Sequence, residues 1–152
     1  MSVPPSKILV STDFSEPAGK ALDYAIALGK KTGAEIILLH AYELPIVGFP
    51  DGAFLATAEM ANRIIMSAQD ALDSLAASRK AAGVPIATLL KNGDPRDTIL
   101  AVAKDVAADL IVMGTHGRRG FARLLIGSVT EAIVRIAECP VLTVRASPAE
   151  SR

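Results

Sequence analysis

The sequence predicts an α/β protein: a three-layer α/β/α, doubly wound Rossmann-like domain around a five-stranded parallel sheet of order 3-2-1-4-5. Three observations carry this. Short apolar runs such as Ile36-Ile37-Leu38-Leu39 and Leu110-Ile111-Val112-Met113 are continuous rather than alternating, as in strands covered on both faces. Longer stretches with apolar residues at helical spacing separate them. Helix-start signals follow the strands, closely at Ser15 and Asp94, so each strand is joined to the next parallel one by a right-handed helical crossover.

The elements follow in order. Residues 7–12 read as the first strand. Ser15-Glu16-Pro17 then opens a helix with proline in its first turn. Ala18, Ala21, Leu22, Ala25 and Leu28 form that helix's inward stripe, and Lys30, Lys31 and Gly33 close it. Residues 34–41 make the second strand. Residues 42–56 carry Pro45, Gly48, Pro50 and Gly52 among apolar side chains, and are expected to loop over the end of the sheet. A long helix over 58–82 presents Ala61, Ile64, Ile65, Ala68, Leu72 and Leu75 inward and stops at Gly83. The third strand spans 84–90, and Asp94-Pro95 caps and opens the next helix, with the stripe Ile99, Val102, Ala103 and Val106. After the fourth strand, 110–113, a helix starts at Ser128, where Ser128-Val129-Thr130-Glu131 has the form of a capping box. That helix turns Val129, Ile133, Ile136 and Ala137 inward and ends before Pro140. Residues 141–144 form the fifth strand, and 147–152 a frayed tail.

Composition bounds the function. The 152 residues are read as one domain, residues 1–152, large enough to bury a core. No apolar run is long enough to span a bilayer, so no membrane role is expected. The N-terminus lacks the apolar stretch of a signal peptide, and the single cysteine, Cys139, excludes an internal disulfide framework; both suit a cytoplasmic protein. Sixteen basic and sixteen acidic side chains balance, and no tryptophan is present, which argues against nucleic acid as a partner. Two histidines and one cysteine form no metal-ligand cluster.

The informative stretch is 110–130. An apolar strand ends at Gly114, a loop rich in glycine and arginine follows, and Gly127-Ser128 leads into a helix. Glycine lets backbone N–H groups approach an anion, and a helix N-terminus adds partial positive charge. The stretch holds Arg118, Arg119 and Arg123 but no acidic residue before Glu131, so its charge suits a phosphate. Under the expected strand order, Asp13 and Gly114 end the two strands that flank the topological switch point, where ligands sit in such sheets. Asp13 there either accepts from ribose hydroxyls or helps hold a phosphate-bound cation, or serves as a turn residue or cap ahead of the first helix. His116 has the pKa class of a general base, but no carboxylate is paired with it in sequence. P-loop, G-x-G-x-x-G and G-x-S-x-G motifs are absent. Gly117-Arg118-Arg119-Gly120 matches the G-x-x-G loop of KH domains, but follows a strand where a KH loop joins two helices.

The spacing of Gly114, Gly117, Gly127 and Ser128 resembles the nucleotide-binding signature of the universal stress protein family. With Lys7-Ile8-Leu9-Val10-Ser11-Thr12-Asp13, Ile111-Val112-Met113-Gly114-Thr115-His116-Gly117 and Cys139-Pro140-Val141-Leu142-Thr143-Val144, the chain resembles the ATP-binding branch of the universal stress protein family over residues 7–145. The resemblance implies ATP, or ADP or AMP, as cofactor, with Mg or Mn held through the phosphates near Asp13 and no metal ligand set from the protein. It implies a nucleotide site drawn from Asp13, Ala41, Met113, Gly114, His116, Gly117, Arg118, Gly127, Ser128, Val129 and Thr130, with no catalytic residue. Ala41 would read the adenine edge through its backbone, and Val129 and Thr130 would join the phosphate cradle. It implies a homodimer through Val141, Leu142, Thr143 and Val144, an unidentified protein partner, and a role in stress responses as a sensor or interaction module with at most slow hydrolysis. An ATP-hydrolysing enzyme or phosphotransferase, and a dimeric interaction protein with an unoccupied pocket, are the alternatives.

Overall fold

A computed structural model of the chain describes residues 3–44, 58–115 and 126–145. Within them lie β1 (Lys7–Ser11), α1 (Glu16–Thr32), β2 (Glu35–Tyr42), α2 (Ala58–Ser78), β3 (Ile86–Asn92), α3 (Pro95–Asp105), β4 (Leu110–Gly114), α4 (Ser128–Ile136) and β5 (Val141–Val144). A short 3-10 turn, Lys80–Ala82, follows α2. The sheet is parallel throughout, in the order β3-β2-β1-β4-β5.

Local chemistry sets the helix ends. The Ser15 hydroxyl accepts the Ala18 amide at the start of α1, and Gly33, at φ 79°, ends the helix by donating to Gly29 O. Asp94 caps α3 by accepting the amides of Arg96 and Asp97, with Pro95 in the first turn.

The continuous apolar strands are explained by two separate cores. Ile8 and Val10 of β1 and Leu38 of β2 face α1 and α2, joining Ala21, Leu22, Ala25 and Leu72. Leu9, Leu39, Ile111 and Met113 face α3 and α4, joining Ile99, Val102 and Ile133. Adjacent strand residues thus enter different cores, and a shift of one residue would exchange the two sets. Among the described residues no helix is long and apolar enough to cross a membrane.

Several boundaries differ from the sequence expectation. β2 runs on to Tyr42, because Ala41 and Tyr42 pair with Lys91 and Asn92 of β3 and Tyr42 O accepts the Gly93 amide. β3 begins at Ile86 rather than residue 84, after Pro85. Thr12 lies beyond β1, although its amide still donates to Leu39 O. Helix α4 stops at Ile136, and because Ala137 turns extended, Ile136 is 61% exposed rather than inward. The expected loop over 42–56 falls, from residue 45 onward, outside the described residues, as does the tail 147–152.

The amino end of the sheet is held by one carboxylate. Asp109, just before β4, accepts the Ser6 amide, the Ser6 hydroxyl and the Lys7 amide at 2.9, 2.7 and 2.9 Å. The Ser6 hydroxyl, then the two amides, hold this carboxyl below its usual value of 3.8. A depressed folded pKa means the contribution is complete above the ordinary carboxylate range and is lost as pH falls through the folded value. Asp109→Asn is therefore expected to lower urea stability at neutral pH. The gap to the native protein should close in strong acid; a gap that stays constant across that range would contradict the role given to Asp109.

Candidate functional site

The crevice lies where strand order reverses, beyond the carboxyl ends of β1 and β4. One wall is the turn from β1 into α1. Thr12, only 4% exposed, accepts the Phe14 amide on Oγ1 at 3.0 Å. Asp13 accepts the Ser15 amide on Oδ1 at 3.0 Å. Between them Phe14 adopts φ 64°, the left-handed region that a bulky residue seldom enters. Asp13 is therefore a turn residue; that bond leaves open a ligand role on the same carboxylate. His40, at the end of β2, approaches Thr12 O with Nδ1 at 2.8 Å. A carbonyl only accepts, so Nδ1 carries the proton in this bond. The Phe14 ring packs on the His40 ring, with centroids 4.5 Å apart and planes tilted 49°.

The other wall is the end of β4 with the start of α4. A Cβ on Gly114 would lie 2.9 Å from both the carbonyl carbon and the Cβ of Pro17, so only glycine lets the first turn of α1 settle on β4. The Thr115 amide donates to Val144 O, and Thr115 O accepts the Gly127 amide. These bonds bring both ends of the glycine-arginine stretch together. The Thr115 hydroxyl, by contrast, is buried without a partner.

The start of α4 corrects the capping-box expectation. Gly127, not Ser128, is the N-cap, and no side chain caps the helix. Gly127 O accepts the Glu131 amide at 2.9 Å, which makes Ser128 the first helical residue. The Glu131 carboxylate turns instead to Arg135, at 3.0 Å. The amides of Ser128, Val129 and Thr130 belong to the first turn and receive no capping side chain among the described residues, while α1 and α3 have Ser15 and Asp94. Thr130 Oγ1 donates to Gly114 O at 2.8 Å, fastening that turn to the end of β4.

The end of β4 thus brings Gly114 together with Gly127, Ser128, Val129 and Thr130 at the start of α4, and Asp13 lies beyond the end of the neighbouring strand β1. Met113 precedes it, its side chain buried in the core with Leu9 and Ile133. Ala41 sits two residues beyond Leu39, the last β2 partner of β1. Glu35 N–H and Leu39 O both bond toward β1, and alternation gives Ala41 N–H and C=O that same side. His116, Gly117 and Arg118, with Arg119 and Arg123, lie outside the described residues. Sequence reading missed His40 and Phe14, since their contact depends on strand register and no periodicity reports it.

Chemistry elsewhere is sparse. A cavity of ≈ 470 Å³ lies at the opposite end, between the C-terminal ends of α3 and α4, and includes Lys104, Ile136 and Cys139. Burial pushes the Cys139 thiol up, which makes it a poor nucleophile. Among the described residues no cluster of three His, Cys, Asp or Glu could hold a metal.

An open parallel sheet whose order reverses between β1 and β4, with helices on both faces, defines a domain of the doubly wound class, in which ligands sit at the switch point. The chain belongs to the universal stress protein family, whose model matches residues 5–145. It is 30% identical to universal stress protein MJ0577 of Methanocaldococcus jannaschii over 158 residues, 95% of this chain and 98% of that one. The solved structure of MJ0577 superposes with TM-score 0.78 at 28% identity, over 95% of this chain and 99% of that one. A universal stress protein in complex with cAMP superposes with TM-score 0.69 at 29% identity, over 95% and 99% of the two chains. An Arabidopsis thaliana family protein, At3g01520 with AMP bound, gives TM-score 0.67 at 25% identity, over 96% and 95%.

The Gly114–Pro17 packing gives a direct expectation. Gly114→Ala forces backbone apart and is expected to destabilise by about 1–3 kcal/mol, the usual cost of overpacking. Urea denaturation checks this, and an unchanged midpoint would show that α1 is free to move.

Proposed function

We propose that the chain is an adenine-nucleotide-binding module that takes ATP into the β1–β4 crevice. The observation that carries the reading is the start of α4, where the Ser128, Val129 and Thr130 amides lie beside the end of β4 with no capping side chain among the described residues. A phosphate there satisfies orphan N–H groups and lies on the positive end of the helix dipole. The relatives with cAMP and with AMP support an adenine nucleotide as the ligand class. In this reading Asp13 serves the ribose or a phosphate-bound Mg or Mn ion, and the main chain of Ala41 reads the adenine edge. The main chain of Met113 and Gly114 borders the phosphates. The resemblance also assigns His116, Gly117 and Arg118, outside the described residues, to the nucleotide, and Gly127 leads into the cradle. The Thr130 hydroxyl already serves Gly114 O, so Thr130 contributes its amide.

The bound nucleotide acts as a conformational ligand in a cytoplasmic stress response, shifting a partner surface through its differential affinity for two states. Fast phosphoryl transfer needs an oriented nucleophile and a cationic group on the developing charge. Asp13 is the acidic residue assigned to this crevice, and its Oδ1 already accepts the Ser15 amide. Turnover is therefore slow.

Ser128→Pro tests the placement. Proline is favoured at the first helical position, and extended Gly127 accommodates it, so the helix persists while one amide is lost. Calorimetry is expected to show ATP binding by the native protein and weakening by about tenfold or more in Ser128→Pro, the scale of a lost hydrogen bond to a charged group. Phosphate release with Mg²⁺ or Mn²⁺ should stay far below the enzyme median of about 10 per second. Native ATP affinity in Ser128→Pro would sink the placement, and turnover near that median would make the protein an ATPase.

A homodimer belongs to the same reading. β5 is a sheet edge whose Val141, Leu142, Thr143 and Val144 are uncharged, and α4 beside it exposes Val134 and Ile136. Antiparallel pairing of two β5 strands covers both edges. Thr143→Pro should sediment as a monomer and the native chain as a dimer; a monomeric native chain at micromolar concentration contradicts the interface.

A further inference from the structure

Beyond the residues given a nucleotide role, the contact between the ends of β1 and β2 singles out one more. In a parallel ladder the carbonyl of Thr12 would accept the amide of Ala41, the next rung after Thr12 N–H to Leu39 O. Instead the His40 ring occupies that carbonyl, with Nδ1 at 2.8 Å. The backbone then turns sharply: Thr12 Oγ1 takes the Phe14 amide, Phe14 enters the left-handed region, and its ring lies on His40. A single imidazole thereby takes the carbonyl that the next rung would use, beside the turn that carries Asp13, and leaves the main chain of Ala41 on the β1 side beyond the last rung.

We propose that His40 is a positioning residue for the nucleoside half of the ligand. It holds Asp13, at the ribose, and Ala41, at the adenine edge, in fixed relation by donating Nδ1–H to Thr12 O. The assignment rests on the nucleotide reading above and adds to it a division of labour: His40 governs the nucleoside, and the start of α4 governs the phosphates. His40 touches no ligand atom in this scheme, and its effect passes through Thr12 and Phe14.

Two variants separate the donor from the ring. His40→Phe keeps an aromatic ring against Phe14 and removes the N–H. His40→Asn keeps a side-chain N–H close to the Nδ1 position and removes the ring. AMP and ATP affinities are measured by calorimetry for the native protein, both variants and Ser128→Pro, with thermal unfolding recorded for each. The native protein is expected to bind AMP and ATP. His40→Phe should weaken both by the same factor, about tenfold, so that the ratio of ATP to AMP affinity stays native. His40→Asn should remain within about threefold of the native affinities. In Ser128→Pro the ratio should fall, because the phosphate side is what changes.

The proposal is overturned if folded His40→Phe binds AMP like the native protein. It is equally overturned if folded His40→Asn loses AMP binding, or if His40→Phe changes the ATP-to-AMP ratio. Should His40→Phe fail to fold, the Asn variant alone decides. A native protein that binds neither nucleotide would instead remove the nucleotide reading itself, an outcome distinct from failure of the His40 assignment.

Discussion

The carboxyl end of the sheet depends on the seat of Pro17 against Gly114. The first turn of α1 reaches β4 only because Gly114 has no Cβ. That contact seats the first turn of α1 on the end of β4, the strand to which Thr130 of α4 also bonds. It also explains why a glycine ends β4 even though that position needs no positive φ; the requirement is for space.

Two polar fasteners flank this packing and work at opposite ends of β1. At the amino end, Asp109 gathers the Ser6 and Lys7 amides and the Ser6 hydroxyl. At the carboxyl end, Thr12 is bonded through its amide to Leu39, through its carbonyl to His40 and through its hydroxyl to Phe14. Between them Ile8, Leu9 and Val10 are completely buried in two different cores. The central strand is thus fixed in register along its length, and its exit angle into the crevice is fixed as well.

Much of this was legible in the chain itself. Continuous apolar runs in 36–39 and 110–113 announced strands covered on both faces, and Ser15 and Asp94 announced helix starts, because these signals act within a few residues. Strand order was legible through the right-handed crossover rule, which leaves few topologies for an alternating chain. Ser128 misled because a capping box is a local motif, whereas the helix opens one residue earlier, with Gly127 O accepting the Glu131 amide and the Gly127 amide held by Thr115 O. Ile136 misled for a related reason: helical periodicity continues past the point where Ala137 turns extended. The His40–Thr12 tie was invisible because the two residues are far apart in sequence and meet through pairing register.

The same geometry gives the family fold a reason to bind anions at one end and not the other. Helix N-termini and strand carboxyl ends coincide at the crevice, while the cavity beside Cys139 sits at the helix C-termini, where partial charge is negative. The most direct measurement is an amide chemical-shift titration of the ¹⁵N-labelled protein with ATP. The account predicts the largest shifts at Asp13, Ala41, Ser128, Val129 and Thr130, with Ala101, Lys104 and Glu138 unmoved. Shifts centred on the α3–α4 cavity, or none at saturating ATP, would contradict it.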